Sequence, residues 1–187
     1  MTVVPVPAFG GLAVVALLVA LVTPALAWDE PDGFRGVPWG ASREELRVHL
    51  QRTGVSVTCG GKVLGCTGPQ LSIGPASVRA YYLFAPDADK FEVVLLTFAP
   101  AHYAALRTIF EERYGAPSRV HEQTMQSQMG AKFTNETALW VGERVTISLS
   151  RYGSKLDQGR AVIGLKAALE RQREESEKAL KKGKDGL

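Results

Sequence analysis

The chain has 187 residues, of which 45% are hydrophobic and 22% are charged, and its formal net charge at pH 7 is +3. A chain of this length can bury a sizeable hydrophobic core. Its positive excess is too small and too dispersed to indicate binding to nucleic acid or to an anionic membrane surface, and those classes of partner are excluded.

The first 27 residues have the pattern of a cleavable export signal. They contain no charged side chain, and residues 12–22 form an unbroken apolar run of the length typical of a signal-peptide core. Pro24 then breaks the helix, and residues 25–27 supply the small residues that signal peptidase recognises. We predict cleavage after Ala27, export to the periplasm or the exterior, and no stable membrane insertion afterwards. The alternative is a retained anchor, because the apolar stretch from Val3 to Ala27 is just long enough to span a bilayer.

The chain contains two cysteines, Cys59 and Cys66. Outside the cytoplasm such a pair is expected to form a disulfide, and the three glycines between the two residues allow a tight turn. The spacing matches neither the Cys-x-x-Cys of redox catalysts nor a four-ligand zinc site. We therefore predict a structural disulfide.

Three helices are predicted. Ser42 with Glu45 forms a capping box that opens the first, which ends at Gly54 and has an apolar edge of Leu46 and Leu50. Residues 102–114 carry an apolar stripe at helical spacing (Tyr103, Leu106, Phe110 and Tyr114). Residues 166–187 form a charged C-terminal helix or tail. The predicted organisation is therefore a signal peptide (1–27), a single domain (28–165) and this C-terminal segment.

Strands are predicted where apolar residues alternate or form short runs. Residues 78–84 alternate, and residues 91–98 are almost entirely apolar, as in a central strand covered on both faces. We expect these two to form an antiparallel hairpin. A second hairpin joins 138–141 to 145–149 through a type II′ turn at Gly142, a further strand spans 161–165, and the polar segment 120–133 is left unassigned.

The pattern predicts an α+β fold, with a mostly antiparallel sheet and helices packed on one face. Residues 45–54 and 105–115 are weakly similar, since each reads as a helix that ends at a glycine before β-rich chain. This similarity suggests two related helix-plus-strands units that build one sheet.

The sequence offers few residues in catalytic or ligand-binding patterns. Its three histidines lie near no nucleophile motif, and phosphate-loop, dinucleotide-binding and haem-attachment motifs are missing. We predict no cofactor and favour a non-catalytic role.

One metal-binding alternative remains. His121, Met125 and Met129 follow one another at four-residue intervals. On a helix they would form a column with steps of about 6 Å, close enough for a Cu(I) site. On a strand they would stand roughly 13 Å apart and could not share an ion. The flanking residues do not decide between helix and strand, and the methionines equally suit gaps in a core.

The segment before the first helix is a candidate contact site. Residues 34–40 (F-R-G-V-P-W-G) place Phe34 and Trp39 beside glycines, either as an exposed partner-binding lip or as a stiff segment whose rings fill the gap between sheet and helix.

Residues 34–40 and the following S-R-E-E-L-R resemble the opening of small uncharacterised exported proteins of Gram-negative bacteria. Y-G-A-P at 114–117 and the stretch from Gly130 to Trp140 are similar to the same group, so the resemblance covers most of the mature chain. More loosely, the helix-plus-strands units resemble β-lactamase-inhibitor-like and BamE-like periplasmic domains, which bind other proteins. The lipid-attachment cysteine of many BamE-like proteins is missing here.

These observations favour an exported accessory module of the cell envelope that binds another envelope or exported protein. The alternatives are a copper-binding or carrier protein, and a small secreted hydrolase or an inhibitor of one.

Overall fold

A computed structural model describes residues 28–60, 65–126 and 129–185. The predicted signal peptide and its cleavage site lie outside these residues. The domain is α+β, with its strands in antiparallel sheets, as predicted. The helices are α1 (Arg43–Arg52), α2 (Tyr103–Tyr114, preceded by the 3-10 turn Pro100–His102) and α3 (Lys166–Asp185). The strands are β1 (Gly33–Phe34), β2 (Val37–Pro38), β3 (Thr58–Cys59), β4 (Gly65–Ile73), β5 (Ala76–Phe84), β6 (Phe91–Phe98), β7 (Arg119–Gln126), β8 (Lys132–Val141), β9 (Val145–Ser150) and β10 (Gly159–Leu165).

Two helix-plus-strands units meet at the centre of one sheet. Strands β3 to β10 form an eight-stranded sheet in the order β3-β4-β5-β6-β10-β9-β8-β7, and β1 and β2 form a separate ribbon. The first unit is α1 followed by the meander β3 to β6, and the second is α2 followed by the meander β7 to β10. Their last strands, β6 and β10, pair antiparallel. The predicted two-unit organisation is therefore present in the topology.

Local sequence signals account for α1. The Glu45 N–H donates to the Ser42 hydroxyl at 3.2 Å, and the Ser42 N–H donates to the Glu45 carboxylate at 2.8 Å. This reciprocal capping box is the predicted one and satisfies N–H groups that would otherwise lack partners. Leu46 and Leu50 are fully buried.

Helix α2 buries the predicted stripe, Tyr103, Leu106, Phe110 and Tyr114. The helix ends at Gly115, whose carbonyl accepts a hydrogen bond of 2.8 Å from the indole N–H of buried Trp140. This bond attaches the C-terminal end of α2 to β8 and gives the buried indole its hydrogen-bond partner.

The two faces of the sheet are covered differently. Helices α1 and α2 pack into the main core on one face, together with alternate sheet residues such as Leu96 and Ile163. The start of α3 packs on the opposite face, where Ala168 joins Val93 and Val162. Strand β6 is thus covered on both sides, as its apolar run predicts. Beyond Arg171, the residues of α3 up to Lys184 are exposed.

The sequence missed two strands of the eight-stranded sheet, besides the short β1 and β2. Strand β4 contains glycine and proline, and its pairing with β5 shifts register between Thr67 and Gln70. Strand β7 pairs with β8 along eight consecutive positions, and its side chains are exposed apart from half-buried Met125. Neither strand shows the alternation that marks a half-buried strand.

The predicted type II′ turn at Gly142 is wrong. Gly142 occupies the first position of the β8–β9 turn, its N–H bonds the Val145 carbonyl at 3.0 Å, and neither central residue, Glu143 or Arg144, has a positive φ. The Glu30 carboxylate accepts hydrogen bonds from the backbone N–H groups of residues 143, 144 and 145. This carboxylate occupies the space that a Cβ on Gly142 would need. The turn therefore takes its shape from a side chain distant in sequence.

The Glu30 carboxylate is held charged by these contacts. Burial raises its pKa, but the three N–H donors and the charge of Arg144 outweigh burial, so that the pKa lies below its usual value. A depressed carboxyl pKa stabilises the fold above the unfolded-state pKa, and that contribution is lost as the pH falls through the folded-state value.

We expect Glu30→Gln to lower the free energy of unfolding by about 1 kcal/mol at pH 7, a value kept small by solvent screening. The difference from the wild type should shrink as the pH falls below the unfolded value of 4.5. Urea denaturation at several pH values measures it. The control is Glu143→Gln, which also removes one negative charge at this turn but leaves the hydrogen bonds from the N–H groups to Glu30 in place. An equal loss of unfolding free energy in that variant would contradict the interpretation.

Cys59 and Cys66 form the predicted disulfide, which joins directly paired residues of β3 and β4. Cys66 is buried and belongs to the main core. The bond fixes a strand of only two residues to the sheet, and residues 61–64 between the cysteines lie outside the described part.

Reduction of this disulfide should destabilise the domain by roughly 2.5 kcal/mol, because it restores the entropy of a short loop to the unfolded chain. A fall in Tm of roughly 5–10 °C follows for a domain of this size. Thermal denaturation with and without reductant measures it. The Cys59→Ala/Cys66→Ala variant should have the Tm of the reduced wild type whether or not reductant is present. An effect of reductant on the Tm of that variant would point to another cause.

Candidate functional site

The β1–β2 ribbon carries an unusual turn. Phe34 pairs with Val37, and the two residues between them, Arg35 and Gly36, have φ values of 52° and 80°. Positive φ at both central positions defines a type I′ turn, which normally takes Asn-Gly. Arg35 is the one non-glycine residue with positive φ in the described part of the chain. The left-handed conformation costs an ordinary side chain roughly 1–2 kcal/mol.

This turn borders a cleft between α2 and the C-terminal end of α1, which is represented in the lining by Thr53. The interhelical cleft has a volume of about 470 Å³ and is open to solvent on one side. Its apolar wall and floor come from both units: Phe34, Ile73, Ile109, Phe110, Tyr114 and Ile163. Its polar lining includes Arg35, Thr53, Ser72 and Arg113. The volume lies within the range of about 300–1,000 Å³ that is typical of small-ligand and peptide-anchor pockets.

The cleft has an unbalanced positive charge. Within the described residues, neither Arg35 nor Arg113 has a carboxylate within salt-bridge distance, although other arginines of the fold do. A smaller adjoining hollow of about 290 Å³ is lined by the same two arginines. Asp32 also lines that hollow, but its carboxylate bonds Arg144 at 2.9 Å. An anion in the cleft would therefore meet two guanidinium groups that no carboxylate of the described residues pairs, although that of Arg113 also contacts the Tyr114 side chain.

Two tyrosines lie beside these arginines. Burial raises the pKa of Tyr114, and the neighbouring Arg113, whose guanidinium lies 5.8 Å from the ring centre, opposes the rise. Burial likewise raises the pKa of Tyr82, against the opposing charge of Arg35. The Tyr82 hydroxyl is buried and has no hydrogen-bond partner among the residues that the structure describes. Both phenols therefore stay protonated at neutral pH.

The predicted contact residues are largely packed inward. Phe34 is 8% exposed and its ring lies 6.3 Å from that of Tyr82, so it forms part of the cleft wall. Trp39 is half-buried, stacks on Phe91 at 4.9 Å and donates its indole N–H to the Pro31 carbonyl at 2.7 Å. Of the two interpretations, the structure places both rings between sheet and helix.

The candidate copper ligands are not brought together. His121 and Met125 lie on β7, and Met129 lies in the turn that follows it, 95% exposed. On a strand, residues four positions apart stand roughly 13 Å apart, which is too far for one ion. No cluster of three or more His, Cys, Asp or Glu side chains suited to a metal occurs among residues 28–60, 65–126 and 129–185.

A second polar cluster joins α2 to β8. The Glu136 carboxylate accepts hydrogen bonds from the Tyr103 hydroxyl at 2.8 Å and from Arg107 at 2.7 Å, and Arg107 also bonds Glu111. Burial and the Glu136 charge raise the pKa of Tyr103 to about 12. Because every charge in this cluster has a partner, we interpret it as a structural connection between the helix and the sheet.

Sequence reasoning named Phe34 but neither arginine of the cleft. The signal for Arg35 was present, since arginine stands before Gly36 in a two-residue loop that normally contains asparagine. No local signal marks Arg113, which reaches the cleft because α2 packs on the sheet next to the β1–β2 ribbon.

Comparisons with known proteins add no constraint on this site. No family model, no curated protein and no solved structure matches the chain. In the described part of the chain, none of the helices is long and apolar enough to cross a membrane.

Arg35→Asn should stabilise the domain by about 1 kcal/mol, because asparagine adopts the left-handed conformation more readily than arginine. The expected rise in Tm is about 2–4 °C, measured by thermal denaturation. Arg113→Asn, on the exposed side of α2, is the control and should not raise the Tm, because helical φ/ψ disfavours asparagine. A fall in Tm with Arg35→Asn would show that the guanidinium contributes to the fold.

Proposed function

We propose that the chain is an exported, non-catalytic binding module of the cell envelope and that it contacts another envelope protein through the interhelical cleft. The observation that carries the proposal is that Arg35 and Arg113, neither of which has a carboxylate partner among the described residues, line one cleft together with apolar side chains. A cleft that presents charge without an internal partner is suited to a ligand that supplies the opposite charge.

Export is supported by two features. Residues 1–27 have the composition and small-residue pattern of a cleavable signal, and the Cys59–Cys66 disulfide suits an oxidising compartment. The periplasm is the compartment that we propose.

Binding is favoured over hydrolysis by the titratable groups of the cleft. These are the guanidinium groups of Arg35 and Arg113 and the phenol of Tyr114, whose pKa is raised. General acid–base catalysis works best with a group whose pKa lies near the operating pH. No histidine is among the described residues that line the cleft: His102 lies in the 3-10 turn and His121 on β7, while His49 on α1 hydrogen-bonds the Arg35 carbonyl at 3.2 Å from outside the lining.

Site-specific photo-cross-linking in living cells tests the proposal. A photoreactive phenylalanine analogue at Ile109, which lines the cleft, should give a covalent adduct with one reproducible envelope protein. The same analogue at Glu112, exposed on the same helix and outside the cleft lining, is the matched control.

An adduct at position 109 that is missing at position 112 would support the cleft as the contact site. Equal adducts at both positions, or none at 109 while the protein is exported and folded, would contradict the proposal. A cytoplasmic location of the mature chain, measured by cell fractionation, would contradict the proposed compartment.

A further inference from the structure

The arrangement of charge and apolar surface in the cleft restricts the chemistry of its ligand. Arg35 and Arg113 come from different elements, the β1–β2 turn and the C-terminal turn of α2, yet both line the cleft and the adjoining hollow. Guanidinium groups bind carboxylates through paired hydrogen bonds of matching geometry. Two such groups at one site suit a ligand carboxylate that forms no other ion pair.

The surface next to these groups is apolar. Ile73, Ile109 and Ile163, from β4, α2 and β10, line the same cleft, with Phe34 beside them. A ligand that places only a small inorganic anion at the arginines would leave this surface in contact with water. A ligand with an apolar group next to its carboxylate would bury it, at a gain of about 25 cal/mol per Å² of apolar area.

The remaining polar lining distinguishes a peptide from an acyl chain. The hydroxyl groups of Thr53 and Ser72 lie among the apolar residues of the lining. The Thr53 hydroxyl donates to the Leu50 carbonyl at 2.8 Å and retains the capacity to accept, while the exposed Ser72 hydroxyl makes no hydrogen bond in the described structure. Peptide N–H and C=O groups would use these hydroxyls, whereas a hydrocarbon chain would not.

The backbone at Arg35 gives independent support. An arginine in the left-handed region of a type I′ turn is less stable there than asparagine would be. Arg35 lowers the stability of the fold, and its guanidinium has no ion-pair partner in the described residues. An arginine at this position is explained if the guanidinium contributes to binding.

We infer that the interhelical cleft binds the C-terminal carboxylate of a partner protein whose last residues are apolar. This inference rests on the proposed function and specifies the ligand of the same site. In this arrangement the ligand carboxylate lies between Arg35 and Arg113, and the apolar side chains of the ligand lie against the three isoleucines of the lining. Capture of a chain terminus is an established mode of peptide recognition.

The test uses the protein purified from the envelope of cells that express the full chain. Two pools of decapeptides, randomised at the last four positions, are presented to it, one with free C-terminal carboxylates and one with C-terminal amides. We expect enrichment from the free-acid pool alone, with apolar residues at the C-terminus. The enriched peptide is then labelled at its N-terminus and its affinity measured by fluorescence anisotropy.

Three variants locate the binding site. Arg113→Gln and Arg35→Asn should each weaken binding of the enriched peptide by roughly 10-fold to 100-fold, as expected for a lost hydrogen bond between charged groups. Arg35→Asn should do so while its Tm rises, which separates loss of binding from loss of folding. Arg52→Gln removes the same charge from the end of α1, outside the cleft lining, and should leave the affinity unchanged.

The inference is overturned if the free-acid pool gives no enrichment, if amidated peptides bind equally, or if Arg52→Gln has the same effect as Arg113→Gln. Binding of laurate in place of any peptide would assign the cleft to an acyl chain and would also overturn it. An adduct at Ile109 together with failed peptide selection would leave the proposed function standing while this ligand is rejected. Failure of the cross-linking itself would remove the proposed function.

Discussion

The antiparallel pairing of β6 with β10 is the constraint on which the rest of the structure depends. It is the seam at which the two units join into one sheet, with six directly paired positions from Gly159–Phe98 to Gly164–Val93. Because each unit begins with a helix on the same face of its meander, this seam places α1 and α2 over one face of the joined sheet. The interhelical cleft is the space between them, and its lining therefore combines residues of both units.

The entry segment makes a second connection between the units. On the first unit, the Gly40 N–H donates to the Phe91 carbonyl and the Phe91 N–H donates to the Ala41 carbonyl, each at 2.8 Å. On the second, Glu30 binds the N–H groups of the β8–β9 turn, and the Trp28 ring meets Tyr114 edge-on at 6.2 Å. The β1–β2 ribbon lies between these attachments. The position of Arg35 at the cleft thus depends on both units being assembled.

Most of the fold was predictable because its strongest signals are local. The capping box at Ser42, the stripe on α2 and the alternation in β5 each specify one element from adjacent residues. Strand β7 was not predictable, because both its faces are exposed and it forms only by pairing with β8. Strand β4 was hidden by glycine and proline, and the β8–β9 turn by its dependence on Glu30. The cleft was missed for a related reason: Arg35 and Arg113 are far apart in sequence, and only the packing of α2 and of the β1–β2 ribbon on the sheet brings them together.

Arg35 connects the energetics of the fold with the proposed binding. Glu30 and Arg107 are held by partners in the fold, Glu30 by three N–H donors and Arg107 by two carboxylates. Among the described residues Arg35 has no carboxylate partner, and its backbone lies in the left-handed region that non-glycine residues disfavour. With no carboxylate partner for this guanidinium among the described residues, and with Arg113 and apolar side chains beside it, the fold is less stable alone than it would be with asparagine at this position. Such a residue makes physical sense when the missing interaction is supplied by a bound anion, and the stability lost in the free protein is then offset in the complex.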